Sequence, residues 1–100
     1  MTYMYKLKGT TVVPCVNEID FATYMSTANR RVAECFYGEV RVSTVFLGID
    51  HNYNPDKGPM LFETMIFGGA LDEWQWRYST WEEAEATHKA ICKKYFEVEE

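Results

Sequence analysis

Residues 31–48 constrain the fold more tightly than any other stretch of the chain. Two arms, 31–36 and 39–48, flank Tyr37-Gly38, a dipeptide suited to a hairpin turn. In the second arm Val40, Val42, Thr44 and Phe46 share one face, and Arg41, Ser43, Val45 and Leu47 share the other. A period of two belongs to a strand, because successive side chains point to opposite sides of a sheet. Val45-Phe46-Leu47 is apolar throughout, as expected where a strand passes beneath a helix.

The remaining segments supply partners for that hairpin. Tyr3, Tyr5 and Leu7 alternate and read as a first strand; Lys8-Gly9-Thr10 is a turn; Thr11-Val12-Val13 continues as β until Pro14, which suits an edge or a strand end. Residues 60–67 form another strand, ended by Gly68-Gly69. In residues 73–78, Trp74, Trp76 and Tyr78 alternate with Glu73, Gln75 and Arg77, which gives a last strand with an aromatic face. Phe21, Tyr24 and Met25 fall at helical spacing, so a short helix near 20–28 is expected, capped by Asn17 or Asp20.

The C-terminal segment is helical by two signals. Thr80-Trp81-Glu82-Glu83 is a capping box, and Trp81, Ala84, His88, Ile91, Cys92 and Tyr95 form one stripe at spacings of three and four. Early Glu and late Lys89, Lys93 and Lys94 also suit the helix dipole. The sequence thus predicts one α+β domain over 1–100, an antiparallel sheet of about five to six strands with a helix over 80–96 on one face.

Composition narrows the class of function. A chain of 100 residues with 47% hydrophobic content and 16 aromatic residues can bury one modest core. No apolar run reaches the ~18 residues that a membrane span needs, and no basic segment followed by an apolar one opens the chain as in a signal peptide. Cys15, Cys35 and Cys92 are an odd set without a CxxC pair, which favours reduced thiols and a cytoplasmic location. The net charge is −5, and 8 of the 15 acidic residues lie from Asp72 onward. Direct binding to a nucleic-acid backbone needs clustered Lys and Arg and is not expected; the charge is compatible with docking on a basic protein surface, and ordinary solubilising charge is the simpler reading.

Candidate chemistry is sparse. Asp50-His51 with His88 could hold a metal or run acid–base chemistry, but the residues are not spaced as HxH or HExxH. The simpler reading makes His88 a hydrogen-bonded core histidine and Asp50 and His51 loop formers, so no metal and no cofactor are expected. Gly68-Gly69 lies outside any phosphate-binding motif and reads as a turn or bulge. None of the cysteines has a histidine near it in sequence on which to build a nucleophile, and Cys92, on the apolar stripe, reads as a small hydrophobe. Trp74, Trp76 and Trp81 are many tryptophans for one small core, and any that stay exposed would be contact anchors. The polar loop over 49–59 is long enough for a functional role.

Three segments carry a resemblance: VSTVFLGIDH over 42–51, LFETMIFGG over 61–69 and RYSTWEEAE over 77–85. Together they resemble small accessory proteins of tailed bacteriophages and prophages, over roughly residues 40–88. The resemblance implies an origin inside a bacterial host and no particular activity. Such proteins commonly act by binding, so the expected role is a non-enzymatic inhibitor or modulator of a host protein, such as a defence system in the manner of an anti-CRISPR. Its expected contact residues are Asp50, His51, Asn52, Tyr53 and Asp56 in the loop, Trp74 and Trp76, and Glu82 and Glu85 on the helix. Two other readings stand beside it. One is a metal or small-molecule module using Asp50, His51 and His88; the other is a structural protein whose exposed strand edge pairs with a second copy.

Overall fold

The computed structural model of the chain describes residues 4–50 and 58–97. In chain order the elements are β1 (Tyr5–Lys8), β2 (Thr11–Pro14), α1 (Glu18–Thr27), β3 (Arg31–Tyr37), β4 (Val40–Phe46), β5 (Phe62–Phe67), β6 (Gln75–Tyr78) and α2 (Trp81–Tyr95). The α+β class and the C-terminal helix follow the sequence pattern. The strands divide into a four-stranded antiparallel meander, β3-β4-β5-β6, and a separate β1-β2 hairpin.

The division occurs at Gly48. Its φ of 83° turns the chain out of β4, and a Cβ there would stand 3.0 Å from the Phe21 ring and 3.3 Å from the Met25 sulfur. Only glycine accepts both the conformation and the close approach of α1. Beyond the turn the β1 amide of Tyr5 donates to the Gly48 carbonyl at 2.7 Å, which attaches the small hairpin to the large sheet.

Register fixes the two faces of the meander. Cys35 pairs with Val42 and Val42 with Ile66; Thr44 pairs with Thr64 and Thr64 with Trp76; Phe46 pairs with Phe62 and Phe62 with Tyr78. These rows face α2, which lays Ala84, His88, Ile91 and Cys92 onto them. Toward the N-terminus of α2 the core is Phe46, Leu61, Phe62, Tyr78 and Ala84, with half-buried Trp81 meeting Phe62 edge-on. Toward its C-terminus the core is Val42, Ile66, Ile91 and Cys92, rimmed by Cys35, Tyr37, Trp76 and Tyr95. Full burial of a Phe or Ile side chain stabilises by roughly 1.5–3 kcal/mol, so both clusters hold the helix down.

The opposite face of the sheet is laid with ion pairs. Arg77 meets Glu63 at 3.0 Å, Arg31 meets Glu34 at 3.0 Å, and Arg41 meets the same Glu34 at 3.6 Å. Arg41 also lies 4.5 Å over the Phe67 ring. Val45 sits among these charges; the apolar run at Val45-Phe46-Leu47 therefore spans two faces of different character.

Both helices start at a side-chain cap. Thr80 Oγ1 accepts the Glu83 amide at 3.1 Å and donates to the Glu83 carboxylate at 3.1 Å, so the carboxylate returns to the hydroxyl. In α1, Asn17 is the cap, accepting the Asp20 amide at 2.8 Å, and the helix begins at Glu18. Asp20 is the third helical residue instead: its carboxylate accepts the Val16 amide and pairs with Lys6 of β1 at 2.8 Å. That partnership lowers the Asp20 carboxyl pKa, the Lys6 hydrogen bond first and the Val16 amide second. Trp74 precedes β6 instead of lying within it, because Glu73 takes a left-handed φ of 70° and breaks the alternation.

Candidate functional site

Chemically versatile side chains gather where α2 crosses the middle and the β3 edge of the sheet. Position 88 of α2 faces the sheet, and Thr44 of β4 lies beneath it. His88 is 2% exposed, and its Nδ1 lies 2.7 Å from Thr44 Oγ1. Thr44 and Thr64 are cross-strand partners, so their hydroxyls meet in a short hydrogen bond. Tyr78 Oη donates to Thr64 Oγ1 at 3.1 Å and closes a buried row of four polar side chains. Every hydroxyl in the row has a partner, as a low-dielectric core requires.

The other ring nitrogen of His88 faces sulfur. His88 Nε2 lies 3.5 Å from Cys35 Sγ, and Cys92 follows His88 by one helical turn on the same face. One ligand atom from each of Cys35, His88 and Cys92 lies within 4.8 Å of the other two. Tyr37, next but one to Cys35 along β3, packs against the cluster that holds Cys92 and donates its hydroxyl to Glu97.

Burial shifts the protonation equilibria of His88 and Cys92 toward their neutral forms. Burial lowers the His88 imidazole pKa below its ordinary 6.5, so the ring is neutral at pH 7. Burial also pushes the Cys92 thiol up to about 11. The Tyr37 phenol is raised, first by its bond to Glu97 and then by burial. A thiol with that pKa is not a thiolate at neutral pH, so Cys92 by itself is no activated nucleophile.

The residues singled out from the sequence fall in several places. Asp50 is half-buried and accepts the Met60 amide at 3.0 Å, closing the base of the loop, as a loop-forming carboxylate does. His51, Asn52, Tyr53 and Asp56 lie outside the described residues. Glu82 and Glu85 are exposed near the start of α2, and Glu85 accepts the Trp81 indole N–H at 3.4 Å. Trp74 is 48% exposed, Trp76 is half-buried, and both rings meet Tyr95 at 6.0 and 6.3 Å. Trp74 and Trp76 therefore lie at the C-terminal end of α2, and the acidic pair lies at its N-terminal end beside Trp81. Gly68-Gly69 forms a turn in which the Gly68 amide donates to Asp72 at 2.7 Å.

The expectation that no histidine lies near a cysteine is corrected here, since His88 and Cys92 share one face of α2 and Cys35 faces both. The His88 to Cys92 spacing of four on one helix face was the available signal. Cys35 joins them only through the register of β3 on β4, which no local pattern contains.

Among the described residues no helix is long and apolar enough to cross a membrane. Comparison with protein-family profiles, with curated proteins and with solved structures finds no match.

Proposed function

We propose that this chain is a non-enzymatic binding protein of bacteriophage or prophage origin. It docks on a basic surface of a bacterial protein, a defence system such as CRISPR being the class of target, and inhibits or modulates it. The observation that carries the reading is Trp74. A large aromatic side chain stands 48% exposed, packed by its edge against Trp76 and Tyr95 and therefore held in place. A fixed exposed tryptophan is the residue type most enriched among binding anchors, because it offers large contact area at little cost in conformational entropy. At the N-terminal end of α2, away from Trp74, Glu82 and Glu85 lie exposed and supply charge for steering toward a basic partner. The resemblance of residues 40–88 to phage accessory proteins supports the bacterial setting.

Affinity capture from phage-infected bacteria, followed by mass spectrometry, tests the reading. The parent chain is expected to retain a bacterial protein that Trp74→Ser loses. Glu82→Lys/Glu85→Lys is expected to associate with that partner more slowly, the difference narrowing as salt rises. Recovery of the same proteins by parent and Trp74→Ser at equal yield would contradict the role of Trp74. No protein retained by the parent above background would contradict the binding function itself.

A further inference from the structure

We propose that Cys35, His88 and Cys92 form a binding site for a thiolate-preferring transition-metal ion, zinc in the first instance. The inference is independent of the docking surface and rests on geometry, ligand chemistry and the groups behind the ligands.

Geometry comes first. Tetrahedral zinc with bonds of ~2.3 Å to sulfur and ~2.0–2.1 Å to nitrogen separates S from N by roughly 3.5 Å and S from S by roughly 3.8 Å. The Cys35 Sγ to His88 Nε2 distance is 3.5 Å, and one ligand atom from each of the three residues lies within 4.8 Å of the other two. The 4.8 Å limit exceeds the sulfur–sulfur separation of a tetrahedral zinc site by about an ångström. Cys92 and His88 are one turn apart on α2, and Cys35 comes from the edge strand, so the ion would clamp the helix to the sheet edge.

The second argument is the group behind the imidazole. Metal-bound histidine usually gives its other N–H to an oxygen that fixes the tautomer and the ring orientation. Here Nδ1 is 2.7 Å from Thr44 Oγ1, and Thr44 is itself tied to Thr64. With Nδ1–H donating to Thr44, Nε2 is left with its lone pair free, 3.5 Å from Cys35 Sγ. Such a supported ring is more than the filling of a core corner requires.

Two thiolates and one imidazole suit zinc and exclude hard, oxygen-loving ions such as magnesium and calcium. Binding would displace the thiol protons of Cys35 and Cys92 to solvent, so each ion bound releases up to two protons. The three protein donors leave a fourth tetrahedral position, which in zinc sites of this ligand count is filled by water or another donor. Cys35 is the half-exposed member of the set and marks the side open to solvent.

The test uses the full-length reduced protein, stripped with a chelator and titrated with cobalt(II) as a spectroscopic probe. The expected result is one cobalt per chain with thiolate-to-cobalt charge-transfer absorption and a tetrahedral visible spectrum, both bleached by zinc. Cys35→Ser should weaken binding at least tenfold and diminish the thiolate absorption. It lies on a half-exposed edge strand, which keeps the test valid should substitution of buried His88 prevent folding. Thr44→Val should weaken binding roughly 10- to 100-fold while keeping the spectral type. Cys15→Ser should change neither quantity. Failure of cobalt to give thiolate absorption, or absorption and affinity left undiminished by Cys35→Ser, would overturn the site. So would a Cys35–Cys92 disulfide in protein isolated without reductant, if the reduced form then binds no cobalt.

Discussion

The two ends of α2 rest on the same sheet and are packed by different chemistry. Near Trp81 the helix covers Phe46, Phe62 and Tyr78, a cluster bound by ring contacts and apolar area. Near Cys92 it covers Val42 and Ile66, but one turn earlier it lays His88 on a row of hydroxyls and a thiol. An apolar end can be repacked by any side chain of similar volume. The polar end holds only while each donor has its acceptor, since a lone buried polar group costs what an apolar one does not. Both ends therefore fasten α2, the first by apolar area alone and the second by apolar area together with paired polar groups.

That contrast can be tested by substitution. Phe62→Ala empties the middle of the apolar end and should destabilise by about 3–5 kcal/mol in urea denaturation. A loss below ~1 kcal/mol would mean that the aromatic cluster is not the main fastening of α2. Thr44→Val keeps the volume but removes the hydroxyl between His88 and Thr64, and should cost about 1–3 kcal/mol. An unchanged midpoint would show that the row is not a connected network. Thr80→Ala removes the cap ahead of both clusters and should cost about 1 kcal/mol, with the near-UV circular dichroism retained. A larger loss would place Thr80 in the apolar cluster itself.

How much of this was legible in the sequence differs between the same two regions. The apolar end follows from periodicity: Phe46 in an alternating strand, and Trp81 and Ala84 on a helical stripe, all fall where the patterns put them. The strand count also follows, although the separation of β1-β2 from the main sheet depends on Gly48, whose role appears only when α1 packs on it. At the polar end the pattern places His88 and Cys92 inward and says nothing of what they meet. Thr44 and Cys35 reach them through strand register, a long-range property that local spacing does not encode. Alternation alone places Trp74 in the last strand, and the left-handed Glu73 before it ends that alternation. Of the anticipated contact residues, Asp50, Trp74, Trp76, Glu82 and Glu85 fall within the described residues, at separate places on the molecule.

The distinction between the two ends rests on a neutral, hydrogen-bonded His88. Burial lowers its folded-state pKa below the ordinary 6.5, so the unfolded chain takes up the proton first. The stability this imidazole allows is present in full above about pH 6.5 and is lost as pH falls through the window between 6.5 and the lower folded-state value. The most direct measurement is the nitrogen-15 NMR titration of the His88 ring in chelator-treated protein. The account predicts a single neutral tautomer that persists below pH 6.5 in the folded protein, with Thr44→Val mixing the tautomers. A ring that titrates at or above the value of free histidine in the folded protein would contradict it.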